Sequence, residues 1–277
     1  MTRSALCKRL LPTLGLLAFA AAGAAAQPEP VQIFAAGSLR GVVTELATEA
    51  GPALGLAIQP SFGGSGAMRE RIEKGEPADL LMSADLGSPR KLESQGRTTV
   101  PVIAFARNRM CIVSRRSAGV TAANLIDRLL ADGVRLKTST PIADPSGDYA
   151  WSIFRKVEAV RPGSQAILER KAQASMNLVP KPATATQSGA AALFAANAID
   201  MSITYCSGTA ALEKELPELV SLLVPPELDP HPVYGVAVLS AKPEVLRLAL
   251  FLLSEKGQAI VAKAGMVPLT DPAESPP

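Results

Sequence analysis

VQIFAAGSLRGVVTELATEAGPALGLAIQPSFGGSGAMRERIEKGEPADLLMSAD, residues 31–85, sets the pattern for the whole chain. Val31–Ala36 opens with β-favouring residues and runs into Gly37-Ser38. Leu39, Val42, Val43 and Leu46 then recur at helical spacing across Leu39–Ala50. Leu56–Phe62 is the next expected strand, followed by Gly63-Gly64-Ser65-Gly66 and a polar helix over Ala67–Lys74. Asp79–Ala84 reads as a third, buried strand. Strands alternating with helices predict a mostly parallel sheet covered on both faces.

The alternation continues. Pro89–Gln95 is expected helical and Val100–Arg107 extended. A second set follows: strand Met110–Arg115, helix Ala122–Leu130, short strand Val134–Thr138, polar loop Ser139–Ser146, and helices Tyr149–Ala159 and Ser164–Ala174. After a break at Pro180–Thr186 come a helix from Ser188 to about Asn197 and a strand, Met201–Cys206. Leu219–Val224 and Pro232–Leu239 are extended, and the chain closes with helices Glu244–Leu253 and Gly257–Ala264. Two α/β units without a flexible connector imply two lobes joined by crossing strands, near Arg107–Met110 and Val233–Val236. We expect residues 27–108 with 234–277 in lobe 1 and 109–233 in lobe 2, with a ligand cleft between them at the carboxyl ends of the strands.

The N-terminus carries a different signal. Arg3, Lys8 and Arg9 precede an apolar run, Leu10–Ala22, and an Ala24-x-Ala26 ending, the layout of a signal peptide (residues 1–26) cleaved after Ala26. The run is shorter than the ~20 apolar residues of a membrane span. Of 28 Lys plus Arg, three belong to this leader, leaving 25 against 25 Asp plus Glu. That balance gives no reason to expect nucleic acid as a partner. Aromatic residues are only 4% of the chain, so the cores must be built from Ala, Val, Leu and Ile. The cysteines beyond the leader, Cys111 and Cys206, each fall in an expected strand of lobe 2. They are one disulfide if those strands are neighbours, or else two buried thiols.

Four segments place hydroxyls and free backbone N–H groups between a strand end and a helix start. They are Ala35–Ser38, Phe62–Gly66, Asp144–Asp148 and Thr186–Gly189. A helix N-terminus offers unpaired donors and about half a positive charge, which suits an anion. Taken one at a time, each serine is more simply an N-cap. The anion reading gains from the strand assignment, which puts all four segments on the same side of their sheets.

These segments resemble the periplasmic molybdate-binding proteins of ABC importers, within the type II solute-binding family. The resemblance rests on Ala35-Ala36-Gly37-Ser38-Leu39, Phe62-Gly63-Gly64-Ser65-Gly66, Ala78-Asp79-Leu80 and Ser83-Ala84-Asp85. It continues through Ala143-Asp144-Pro145, Asp200–Tyr205, Val233-Tyr234-Gly235 and Phe251–Ser254 with Gly257. It implies a two-lobed periplasmic monomer that passes a tetrahedral oxyanion, molybdate or tungstate, to an importer permease, with no cofactor. It also implies a ligand held by Ser38 and Ser65, by backbone donors near Ser146 and Gln187, and by the Tyr205 hydroxyl.

The chemistry supports that set independently. Each hydrogen bond to a charged group contributes roughly 1.5–3 kcal/mol, so five or six can reach the ~8 kcal/mol of micromolar affinity. Molybdate and sulfate carry no proton at neutral pH, whereas phosphate often does and then needs an acceptor, a role open to Asp148. The alternatives are the same fold around sulfate or an organic anion, or a hydrolase. A hydrolase would have to be built around the single histidine, His231, and no nucleophile-elbow or zinc motif accompanies it. Arg40 and Arg69, beyond the serine segments, are expected on solvated helix faces.

Overall fold

The computed structural model describes residues 29–271; the expected signal peptide lies outside them. Ten strands are β1 (Val31–Ala36), β2 (Ile58–Gly63), β3 (Leu80–Ser83), β4 (Ile103–Arg107), β5 (Met110–Arg115), β6 (Leu136–Lys137), β7 (Met201–Tyr205), β8 (Leu219–Leu223), β9 (Val233–Val238) and β10 (Val267–Pro268). They form a six-stranded sheet, β10-β4-β9-β3-β1-β2, and a four-stranded sheet, β6-β7-β5-β8. Each sheet with its helices makes one lobe of a two-lobed α/β molecule.

The sheets are mixed, which corrects the expectation of mostly parallel ones. β1 pairs in parallel with β2 and β3, and β6 with β7. β9 lies antiparallel to both β3 and β4, and β5 antiparallel to both β7 and β8. The cause is the route of the chain. β4 runs out of the first lobe into β5, and β9 brings the chain home beside β4, so β9 opposes β3 and β4 in the first sheet and β5 opposes β7 and β8 in the second. β1, β2 and β3, followed by helices, keep a common direction, and so do β6 and β7. Their carboxyl ends carry the serine loops, the Ser139–Asp144 loop and Tyr205 to the junction of the lobes.

Local chemistry moves several boundaries. The first expected helix is a 3-10 turn, Gly37–Leu39, then an α-helix, Arg40–Glu45, then a π-helical stretch, Leu46–Ala50. The loop expected through Ser146 ends earlier, because Asp144 caps a helix that starts at Pro145 and runs to Val160. Proline suits that first position, where no N–H is required. A helix at Thr209–Glu215 was not anticipated; four of its seven residues are charged or hydroxylated. β6 keeps only two of five expected residues.

The helical stripe reads as intended. Leu39, Val42, Val43 and Leu46 are fully buried against Ile33 and Ala35 of β1. Each large apolar side chain so buried contributes about 1.5–3 kcal/mol. Aromatic residues are few but concentrated. All three tyrosines stand in one edge-to-face row across the junction, Tyr149 to Tyr205 (6.2 Å between centroids), Tyr205 to Tyr234 (5.6 Å) and Tyr234 to Phe105 (6.3 Å). β5 and β7 are neighbours, and Cys111 and Cys206 are joined in a disulfide, Cα atoms 5.0 Å apart.

Candidate functional site

A cavity of about 530 Å³ opens between the lobes, lined on one side by Ala36–Ser38, Arg40, Gly63 and Gly64, and on the other by Ser139, Asp144, Ser146 and Thr204–Gly208 without Cys206. Three of the five sequence-predicted residues meet there. Ser38 comes from the 3-10 turn after β1, Ser146 from the first turn of the Pro145–Val160 helix, and Tyr205 from the last position of β7. None of these side chains makes a helix-capping hydrogen bond. In the third segment Asp144 takes that role, its Oδ1 accepting from the Ser146 N–H at 3.0 Å. In the fourth it is Ser188, whose Oγ accepts from the Ala191 N–H at 3.2 Å.

The other two predicted residues stand apart. Ser65 is completely buried, one layer behind the cavity wall, and its Oγ accepts from the Ala84 N–H at 3.0 Å. Gln187 turns inward on its own loop: its N–H donates to Thr184 O and its Oε1 accepts from the Ala183 N–H. That closed turn keeps it off the cavity wall. The Ser146 N–H is likewise engaged by Asp144, so Ser146 presents its hydroxyl rather than its backbone.

Tyr205 is the most telling member. Its side chain is buried, and its Oη makes no hydrogen bond of acceptable geometry. Tyr234 is close enough for the two phenols to influence one another, yet burial, the larger effect, drives the Tyr205 pKa well above the ordinary tyrosine value. The phenol therefore keeps its proton and is a donor without an acceptor. A buried polar group in that state costs about 1–3 kcal/mol, which a bound anion would restore.

Around it the wall is rich in hydroxyls. Ser38 Oγ lies 3.1 Å from Tyr234 Oη, and Asn108 Nδ2 donates to Tyr234 Oη (3.2 Å) and to Ser207 Oγ (2.9 Å). Sequence reasoning missed Ser207, which lines the cavity, and Asn108 and Tyr234, which hydrogen-bond behind it. The tripeptide Cys206-Ser207-Gly208 after the predicted tyrosine was the available signal. Arg40 is exposed at the rim and stacked over Phe62, 4.2 Å from the ring centroid. Arg69 departs from expectation: its side chain is only 13% exposed and pairs with Glu73 one turn on.

Asp144 is the one carboxylate on the wall. Burial raises its pKa; the Ser146 N–H and Ser139 pull it back, and Asp85 across the cleft raises it again. Asp148 is also raised, first by burial, but its Oδ1 is held by the Ile142 N–H at 3.0 Å, outside the cavity. Among the described residues no three His, Cys, Asp or Glu side chains converge to hold a metal ion. His231 is exposed ahead of β9 and lines neither this cavity nor its neighbour.

The lobes touch across the cleft. The Ala67 N–H donates to Ala143 O at 3.3 Å, and the Tyr149 hydroxyl to Ala84 O at 3.4 Å. Two lobes joined by crossing strands, closing on a polar cavity, define a two-lobed binding receptor. The chain belongs to the bacterial extracellular solute-binding protein family, whose model matches residues 31–267. It is 32% identical over 245 residues to an uncharacterised protein of Pasteurella multocida, covering 86% of this chain and 98% of that one. It is 31% identical over 150 residues to the molybdate-binding protein of Escherichia coli, covering 52% of this chain and 58% of that one. The sulfate-binding protein of Mycobacterium tuberculosis shares the fold at a TM-score of 0.70 and 17% identity, covering 88% of each chain.

Proposed function

We propose that this protein is an extracytoplasmic receptor that captures a tetrahedral oxyanion, molybdate first among candidates, and delivers it as a monomer to the permease of an ABC importer. The observation that carries the reading is the buried, unpartnered Tyr205 hydroxyl facing a cavity lined by Ser38, Ser146 and Ser207. Neutral donors hold a dianion without burying a countercharge, and four at roughly 1.5–3 kcal/mol each are enough for micromolar binding. The likeness to the Escherichia coli molybdate-binding protein supports molybdate, and the shared fold of a sulfate-binding protein makes sulfate the natural competitor. Ser65, behind the wall, supports the loop of Gly63 and Gly64; Gln187 is left out of the proposed contact set.

The test is a thermal-shift panel of molybdate, tungstate, sulfate and phosphate followed by calorimetry, since a ligand that binds only the folded form raises Tm. Molybdate should give the largest shift. If none of the four shifts Tm or releases heat, the oxyanion reading is wrong.

A further inference from the structure

Asn108 sits in the two-residue link between β4 and β5, 3% exposed, and its amide is oriented without ambiguity. The Arg109 N–H lies 2.9 Å from one amide atom, which must therefore be the acceptor Oδ1. The other atom is Nδ2, which can only donate. It reaches two oxygens, Tyr234 Oη and Ser207 Oγ.

The consequence runs outward along each branch. Tyr234 Oη accepts from Asn108 and has a single proton of its own. Burial drives the Tyr234 pKa upward, so that proton stays; of the two hydroxyls beside it, Tyr205 Oη and Ser38 Oγ, only Ser38, at 3.1 Å, stands in hydrogen-bonding geometry. Ser38 then accepts from Tyr234, and its own proton is left to point into the cavity. On the second branch Ser207 Oγ accepts from Asn108, and its proton is likewise free for the cavity it lines. Both serines are fixed as donors by one amide that does not itself line the cavity.

We propose that Asn108 is a positioning residue that sets the hydrogen-bond polarity of the site, and that Ser207 is a further ligand donor. Together they favour oxyanions that carry no proton over those that carry one. An acceptor-only anion such as molybdate or sulfate meets two preset donors at this end of the cavity. Hydrogen phosphate, turning its proton there, would meet a hydroxyl facing the wrong way. The inference rests on the oxyanion reading above.

The test is the ratio of affinities for molybdate, sulfate and phosphate by calorimetry, at a pH where phosphate is mostly its singly protonated dianion. All three ligands then carry the same charge. Asn108→Asp replaces a double donor by an acceptor, so Tyr234 and Ser207 turn their protons toward it and both serines offer lone pairs to the ligand. The added charge repels all three dianions alike, whereas the reversed polarity weakens molybdate and sulfate about tenfold or more beyond phosphate. Tyr234→Phe cuts one branch and should lower the same ratio through Ser38 alone, which decides the matter if Asn108→Asp does not fold. Ser207→Ala should weaken molybdate about as much as Ser38→Ala does. If wild type binds these anions but both Asn108→Asp and Tyr234→Phe keep its ratio, the relay is refuted and the oxyanion site stands. If wild type binds none of them, the site itself is refuted.

Discussion

Gly66 of the first lobe packs so closely on Ile142 of the second that a Cβ on the glycine would overlap the Ile142 carbonyl oxygen. Gly64 stands in the same relation to Ala143. Ile142 itself has φ 71 and is 74% exposed, an uncommon conformation for a β-branched residue at a cost of about 1–3 kcal/mol. The glycines after β2 thus allow the lobes to meet, and the strained loop is what they meet.

Gly66→Ala should therefore hinder closure rather than folding of either lobe. Forcing the contact apart costs on the order of 1–3 kcal/mol, or about 5- to 150-fold in affinity. Small-angle scattering with saturating molybdate should show a larger radius for the variant than for wild type. Equal affinity and equal radius would mean that this contact does not govern closure.

The Cys111–Cys206 disulfide closes a loop with a sequence separation of 95. In the chain-entropy model a loop of that size contributes roughly 4–5 kcal/mol. A Cys111→Ser, Cys206→Ser double variant should lose that much stability in urea titrations, most of it absent when wild type is compared in reductant. Mass spectrometry of unreduced, unfolded protein should find no alkylatable thiol at either position; two would disprove the bridge.

What was legible in the sequence was what is local. Gly37-Ser38 and Gly63-Gly64-Ser65-Gly66 announce turns at strand ends because glycine and hydroxyl residues interrupt apolar periodicity, and the 3.6-residue stripe of Leu39–Leu46 predicts its own burial. Tyr205 entered the expected set only through the resemblance, and the structure places it on the cavity wall. The relation of Asn108 to Ser207 and Tyr234 is set by separations of 99 and 126 residues, which no short-range pattern encodes. Gln187 was misplaced for the converse reason: a count along the chain put it beside the ligand, but its loop hydrogen-bonds to itself. β10 has two residues and pairs only through β4, too short to leave a periodic trace.

Asp144 gives the site a pH dependence whose sign follows from its environment. Its pKa is raised above the ordinary 3.8, first by burial, so the fold disfavours the ionised form and is relieved of that penalty as pH falls through the raised value. A bound dianion disfavours the ionised form further. Affinity for sulfate, which stays fully deprotonated, should therefore rise as pH falls through the window above 3.8. Asp148, also raised first by burial, shares in the effect, but Asp144→Asn should remove most of the slope in calorimetry. An unchanged slope in that variant would assign the titration elsewhere.

Tyr205 and Ser38 separate binding from stability. Ser38→Ala and Tyr205→Phe each remove one donor and should weaken molybdate binding about 10- to 150-fold, while Ser94→Ala, on an exposed helix face of lobe 1, should not. Their effects on the ligand-free protein differ. The Tyr205 Oη is buried and unpartnered, so replacing it with hydrogen lifts a desolvation penalty of about 1–3 kcal/mol. Ser38→Ala instead removes the acceptor of the fully buried Tyr234 hydroxyl proton, leaving that oxygen only the Asn108 bond, and should lower stability. Tyr205→Phe is thus expected to raise Tm without ligand and to shrink the Tm increase that molybdate brings, a crossed pattern that a merely structural tyrosine would not give. A variant that loses stability and keeps wild-type affinity would remove Tyr205 from the site.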